Sequence, residues 1–97
     1  MNGPVSTAKA WVCIVDDDES VRKSLANLLR SAGLDPLSFS SGEAFLGSGM
    51  AREAGCVLLD LKMPGLGGLQ VLRELAAMGW RVPVICMTAH WNDAGLD

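Results

Sequence analysis

The chain has 97 residues, nearly half of them hydrophobic, and a net charge of −3. That is enough for one small domain, with no basic cluster to serve as a nucleic-acid surface and no run near the roughly 18 apolar residues of a membrane span. Its three cysteines, Cys13, Cys56 and Cys86, sit in apolar runs without metal-ligand spacing, so they read as buried, reduced side chains and the protein as cytoplasmic.

Residues 1–10, MNGPVSTAKA, are small and polar and lack the apolar stretch of a signal peptide. They read as a disordered leader, with the folded domain spanning residues 11–97. WVCIV, residues 11–15, predicts a buried strand that runs into three acids, Asp16, Asp17 and Asp18. From Glu19 the period changes: Val21, Leu25, Leu28, Leu29 and Ala32 define one helical stripe. Asp18 is its candidate N-cap and Gly33 its stop. Residues 34–39 predict a second strand, and Pro36 suits an edge position. Ser40 or Ser41 caps a short helix through Glu43, Ala44, Phe45 and Leu46, and residues 47–55 form a loop that accommodates one helical turn.

CVLLD, residues 56–60, predicts the third strand, a continuous apolar run ending in Asp60. Pro64 prevents the strand from continuing beyond the turn, and Gly65, Gly67 and Gly68 let the backbone bend there. Leu69, Leu72, Leu75 and Ala76 mark another helical stripe, ended by Gly79. Trp80, at the helix exit, reads as a core residue. VPVICMT, residues 82–88, predicts the fourth strand. This β-α-β-α-β-α-β alternation implies a doubly wound parallel sheet with helices on both faces.

In open sheets of this class, ligands bind beyond the carboxyl ends of the strands. Asp16 and Asp17 end the first strand, Asp60 the third and Thr88 the fourth. All should share one sheet edge, with Asp17 facing Asp60 if the two strands are neighbours. Clustered carboxylates repel one another unless a charge relieves them. A hard divalent cation with oxygen ligands, magnesium above all, fits that need; no histidine or cysteine is placed to favour zinc. A carboxylate beside such an ion can attack phosphorus and form an acyl phosphate, with Thr88 donating to a phosphoryl oxygen. The backbone carbonyl of Lys62 is a further candidate ligand, its side chain facing solvent. The bland alternative, a solvated acidic turn capping a helix, accounts for Asp16 to Asp18 alone but not for the added Asp60.

Three runs, IVDDDESVRKSLANLLRSAG, VLLDLKMPGLGGLQVL and VPVICMTAH, resemble the receiver domain of two-component response regulators, the FixJ-like branch in particular. The resemblance covers roughly residues 11–90. It implies the flavodoxin-like receiver fold with strand order 2-1-3-4. It also implies that Asp60 accepts a phosphoryl group from a histidine kinase, that Asp16 and Asp17 hold Mg2+ (or Mn2+) with the Lys62 carbonyl, and that Thr88 is the switch hydroxyl. A whole receiver has a fifth strand ending in a lysine, and Lys9, Lys23 and Lys62 are not placed to replace it. The domain is therefore expected to be C-terminally incomplete, its apolar fourth strand an edge open to self-association and partly covered by Trp80 and Trp91. Two other classes compete. Aspartyl-phosphate hydrolases need a second acid two residues after the nucleophile, where this chain has Lys62. A non-phosphorylated interaction module, or remnant, would fit the missing lysine.

Overall fold

The computed structural model describes residues 11–87. In chain order the elements are β1 (Trp11–Val15), α1 (Glu19–Ser31), β2 (Asp35–Phe39), α2 (Gly42–Ser48), a single 3-10 turn (Met50–Arg52), β3 (Cys56–Asp60), α3 (Gly68–Ala77) and β4 (Val84–Met87). The four strands form one parallel sheet in the order β2-β1-β3-β4. The alternation of strand and helix therefore resolves as the sequence predicts, and Pro36 lies on an edge strand. The fourth strand is shorter than expected: Val82 and Pro83 precede it, although the Pro83 carbonyl still accepts from the Val57 amide at 2.9 Å. The expected leader, Thr88 and Trp91 lie outside the described residues.

Successive strand residues point to opposite faces of the sheet, and both faces of β1 are covered. Cys13, Val15, Val57 and Leu59 join Phe45, Met63, Val71 and Leu75 in one buried cluster. Val12 and Ile14 alternate to the other face, where α1 packs over β1 and β2. Phe45 and Phe39 meet edge to face, with ring centroids 5.5 Å apart. Trp80 packs against the same cluster, as its place at the helix exit predicts, and Arg52 lies over its ring at 5.3 Å.

Both long helices stop in the same way. Gly33 and Gly79 adopt φ of 84° and 74°, a left-handed conformation that suits glycine. Leu34 N–H then donates to the Leu29 carbonyl, and Trp80 N–H to the Leu75 carbonyl. These bonds satisfy carbonyls that the helix end would leave open. At the other end of α1, the Asp18 carboxylate accepts from the Ser20 and Val21 amides, and Ser41 Oγ accepts from the Ala44 amide to cap α2.

The buried faces of α1 and α3 are rotated from the expected stripes. On α1, Leu28 is 64% exposed and Ala32 is exposed, whereas Ala26 is buried and Val21, Leu25 and Leu29 are half-buried. On α3, Leu69 is 61% exposed and Ala76 exposed, while Gly68, Val71 and Leu75 are buried. Ala26 is buried where α1 packs over β1 and β2, and Gly68 is buried against the Asp60 carbonyl and Leu61 of the turn, while Leu28 and Leu69 face outward. The cysteines also divide: Cys13 is buried, Cys56 half-buried and Cys86 exposed. Cys86 lies on an edge strand that, among the described residues, pairs with β3 alone.

Candidate phosphoacceptor and metal site

The site sits where β1 and β3 end side by side. Their register pairs Val15 with Leu59, so the next residues, Asp16 and Asp60, stand opposite one another. Sequence spacing alone suggests Asp17 as the facing partner. Asp17 instead lies one residue farther along, outside the ladder, and is exposed. Asp16 and Asp60 are each only 3% exposed. Carboxylate oxygens of Asp16, Asp17 and Asp60 nonetheless lie within 4.8 Å of one another, so three acids do converge at this edge.

Both buried acids are oriented by the backbone just beyond them. The Asp18 amide donates to Asp16 Oδ1 at 2.9 Å, and the Lys62 amide donates to Asp60 Oδ1 at 3.0 Å. Among the described residues no hydrogen bond reaches Asp60 Oδ2. Asp16 is further held by its own amide, which donates to the Phe39 carbonyl at 3.1 Å, and by its carbonyl, which accepts from the Arg22 guanidinium at 2.7 Å. The Leu61 amide donates to the Met87 carbonyl at 2.9 Å, tying the turn after Asp60 to β4.

Burial pushes the Asp16 carboxyl above its ordinary value; the Asp18 amide opposes that shift, and the neighbouring Asp60, Asp17 and Asp18 carboxylates add to it. Asp18 moves the other way. The Ser20 hydroxyl and the Val21 and Ser20 amides hold its carboxyl below the usual range, as befits a helix cap. Among the described residues the one ion pair is Lys23 with Glu19, on the exposed face of α1. The three clustered acids therefore have no lysine or arginine paired to their carboxylates there. An all-oxygen, net-negative donor set of this kind fits a hard divalent cation.

The turn after Asp60 comes unusually close to the strand that precedes it. A Cβ on Gly68 would lie 2.5 Å from the Asp60 carbonyl oxygen and 2.8 Å from Leu61 Cα. Only glycine allows α3 to start there. Met63 is buried under this turn, whereas Lys62 and Pro64 are exposed. Arg22 has no place in the site read from the sequence. It is half-buried on α1, and the signal that could flag it is its position one helical turn past the Asp18 cap, facing back to the strand end.

The response regulator receiver domain model matches residues 12–95. Among curated relatives, the transcriptional regulatory protein FixJ of Azorhizobium caulinodans is 47% identical over 79 residues, which covers 81% of this chain and 37% of that protein. Among solved structures, the response regulator StyR superposes with a TM-score of 0.81 at 42% identity, covering 86% of this chain and 42% of that one. The FixJ-N crystal structure gives a TM-score of 0.74 at 39% identity, over 82% of this chain and 64% of that one. The chain thus spans well under half the length of the curated relatives it matches. Among the described residues, no helix is long and apolar enough to cross a membrane. With a four-stranded 2-1-3-4 parallel sheet, an acid cluster at its carboxyl edge and a family match across nearly its whole length, the chain belongs to the response regulator receiver domain family.

Proposed function

We propose that this chain is the phosphoacceptor module of a two-component phosphorelay, with Asp60 taking a phosphoryl group from a histidine kinase and the resulting change controlling an output. The observation that carries the reading is the juxtaposition of buried Asp60 with Asp16 and Asp17 at the carboxyl edge of the sheet. The Lys62 amide holds Oδ1, which leaves Oδ2 as the nucleophile. As Oδ2 bonds to phosphorus, the phosphorus–nitrogen bond of a phosphohistidine breaks. The imidazole nitrogen leaves with the bonding pair and takes up a proton, and the product is an acyl phosphate on Asp60. The domain thus contributes its own transfer chemistry without being an enzyme in the ordinary sense.

Asp16, Asp17, Asp60 and the Lys62 carbonyl are the residues that would hold a Mg2+ or Mn2+ ion. When bound, the ion supplies positive charge against the transferring phosphoryl group. Thr88, just past the last described strand residue, is assigned the switch hydroxyl on its sequence position. Self-association along β4, where Ile85 is 55% exposed and Cys86 is exposed, is part of the same proposal. So is a cytoplasmic setting.

The test is intact mass after incubation with acetyl phosphate and Mg2+. The parent should gain one phosphoryl group, and Asp60→Asn should gain none while keeping the parent's circular dichroism spectrum. Equal labelling of parent and Asp60→Asn would move the acceptor elsewhere.

A further inference from the structure

We propose that Arg22 is a positioning residue for the acidic pair: its guanidinium fixes the peptide that joins Asp16 to Asp17, and so sets where the exposed member of the pair points. The role rests on the reading of Asp16, Asp17 and Asp60 as a cation site. Asp16 lies just past the last paired residue of β1. Its amide still bonds to the Phe39 carbonyl of β2 at 3.1 Å, but its carbonyl has left the strand ladder. Arg22 accounts for that carbonyl. From one turn into α1 it reaches back across six residues and donates from a terminal nitrogen at 2.7 Å.

The consequence falls on Asp17. Asp16 is buried and its carboxylate is held by the Asp18 amide. Asp17 is exposed, and among the described residues no hydrogen bond reaches its carboxylate. What places that carboxylate is therefore its backbone. The peptide plane between Asp16 and Asp17 carries the Asp16 carbonyl and the Asp17 amide together, because the linkage is planar. Fixing the carbonyl fixes the plane, and with it the position of Asp17 Cα, from which the side chain departs. Arginine suits this work because its planar fork is pre-organised and stays charged at all accessible pH.

Arg22 acts on a bound cation in two opposed ways, and this makes the role measurable. Its positive charge near the site repels a cation, so simple loss of charge would tighten binding. Loss of positioning would weaken it. Partners that orient a metal ligand from behind typically contribute about 10–100-fold in affinity. With the positioning effect dominant, Arg22→Met, which keeps the aliphatic stem and removes the donors, should bind Mn2+ about tenfold more weakly than the parent. Arg22→Lys, with charge retained but a single flexible ammonium, should fall between them.

The experiment titrates Mn2+ alone into the chain and its variants, followed by calorimetry and by the electron paramagnetic resonance signal of free ion, with urea unfolding run in parallel. A residue that merely braces the fold would lower the urea midpoint and leave Mn2+ affinity unchanged. Should Arg22→Met fail to fold, Arg22→Gln carries the same expectation. Weaker Mn2+ binding by a folded variant supports the role. Binding as tight as the parent's, or tighter, overturns it and leaves the cation site standing. A parent that binds no Mn2+ overturns the site reading and the role of Arg22 with it.

Discussion

Gly68→Ala isolates the contact that sets the β3–α3 turn against the candidate phosphoacceptor. The added methyl would sit 2.5 Å from the Asp60 carbonyl oxygen, 2.8 Å from Leu61 Cα and 3.0 Å from Leu61 Cδ2. Two of those three atoms belong to the backbone, so relief requires moving the turn or the start of α3. Overpacking of this kind costs about 1–3 kcal/mol. Alanine recovers up to about 1 kcal/mol of helix propensity over glycine, and less at the first helical residue, where Gly68 sits. The net expectation is a loss of roughly 1–2 kcal/mol, which for a domain of this size lowers the melting temperature by about 4–8 °C per kcal/mol. Gly47→Ala is the control. It lies inside α2, with nothing within 4 Å of where its methyl would stand, and should stabilise by about 0.5–1 kcal/mol. Urea unfolding followed by tryptophan fluorescence reads both, and acetyl-phosphate labelling of Asp60 should slow in Gly68→Ala alone. Equal midpoints for the two variants would show that the turn yields freely and that the close approach does not hold the site.

Two pH experiments follow from the same structure. Asp18 has its folded carboxyl below the ordinary 3.8, through the Ser20 hydroxyl first and then the Val21 and Ser20 amides. A lowered folded value means that its contribution is fully present above 3.8 and is lost as pH falls through the folded value. Asp18→Ala should therefore be less stable than the parent at neutral pH, with the gap closing in acid; a gap that stays constant from about pH 7 to about pH 2 would refute the cap. Cys13 is the alkaline counterpart, its thiol raised from 9.0 to about 11 by burial and then by nearby Cys56. Here the native state keeps its proton after the unfolded chain has lost it, so stability declines as pH rises between those values, by up to about 1.4 kcal/mol per unit. Cys13→Ala should flatten that decline in urea midpoints measured from about pH 8 to about pH 11, and an unchanged slope would show that the thiol does not govern it.

Much of the fold is legible in the sequence because parallel strands declare themselves as short apolar runs, and the alternation with helices then determines which ends share an edge. Asp16, Asp17 and Asp60 can be grouped on that basis alone. What the sequence does not supply is register. A shift of one residue decides whether Asp16 or Asp17 faces Asp60, and a continuous apolar run such as WVCIV, without alternation, does not mark which register is right. The helix faces are misplaced for a related reason. Counting apolar residues centres the stripes near Leu25 and Leu72, whereas the buried Ala26 and Gly68 carry little hydrophobic weight in a periodicity count. The exposed Cys86 shows the same limit: an apolar run on a strand that is an edge among the described residues reads like one in the centre.

The register also explains why the chain tolerates its least favourable feature. Two acids buried opposite one another, with a third close by, destabilise a fold in which, among the described residues, no lysine or arginine is paired to their carboxylates. The chain brings Arg22 to the Asp16 backbone carbonyl, not to a carboxylate. It uses backbone amides two residues downstream, Asp18 for Asp16 and Lys62 for Asp60, at nearly equal distances of 2.9 and 3.0 Å. Each amide engages Oδ1, so each acid is oriented through one oxygen by a turn that its own strand end creates. An amide contributes a dipole and no net charge, so the cluster stays net negative while its geometry is fixed. A fold selected for stability alone would replace Asp60 with an apolar residue continuous with Leu59, as the rest of β3 already is. Local choices that oppose the packing rules around them are expected where function is held, and here that opposition is confined to the ends of β1 and β3.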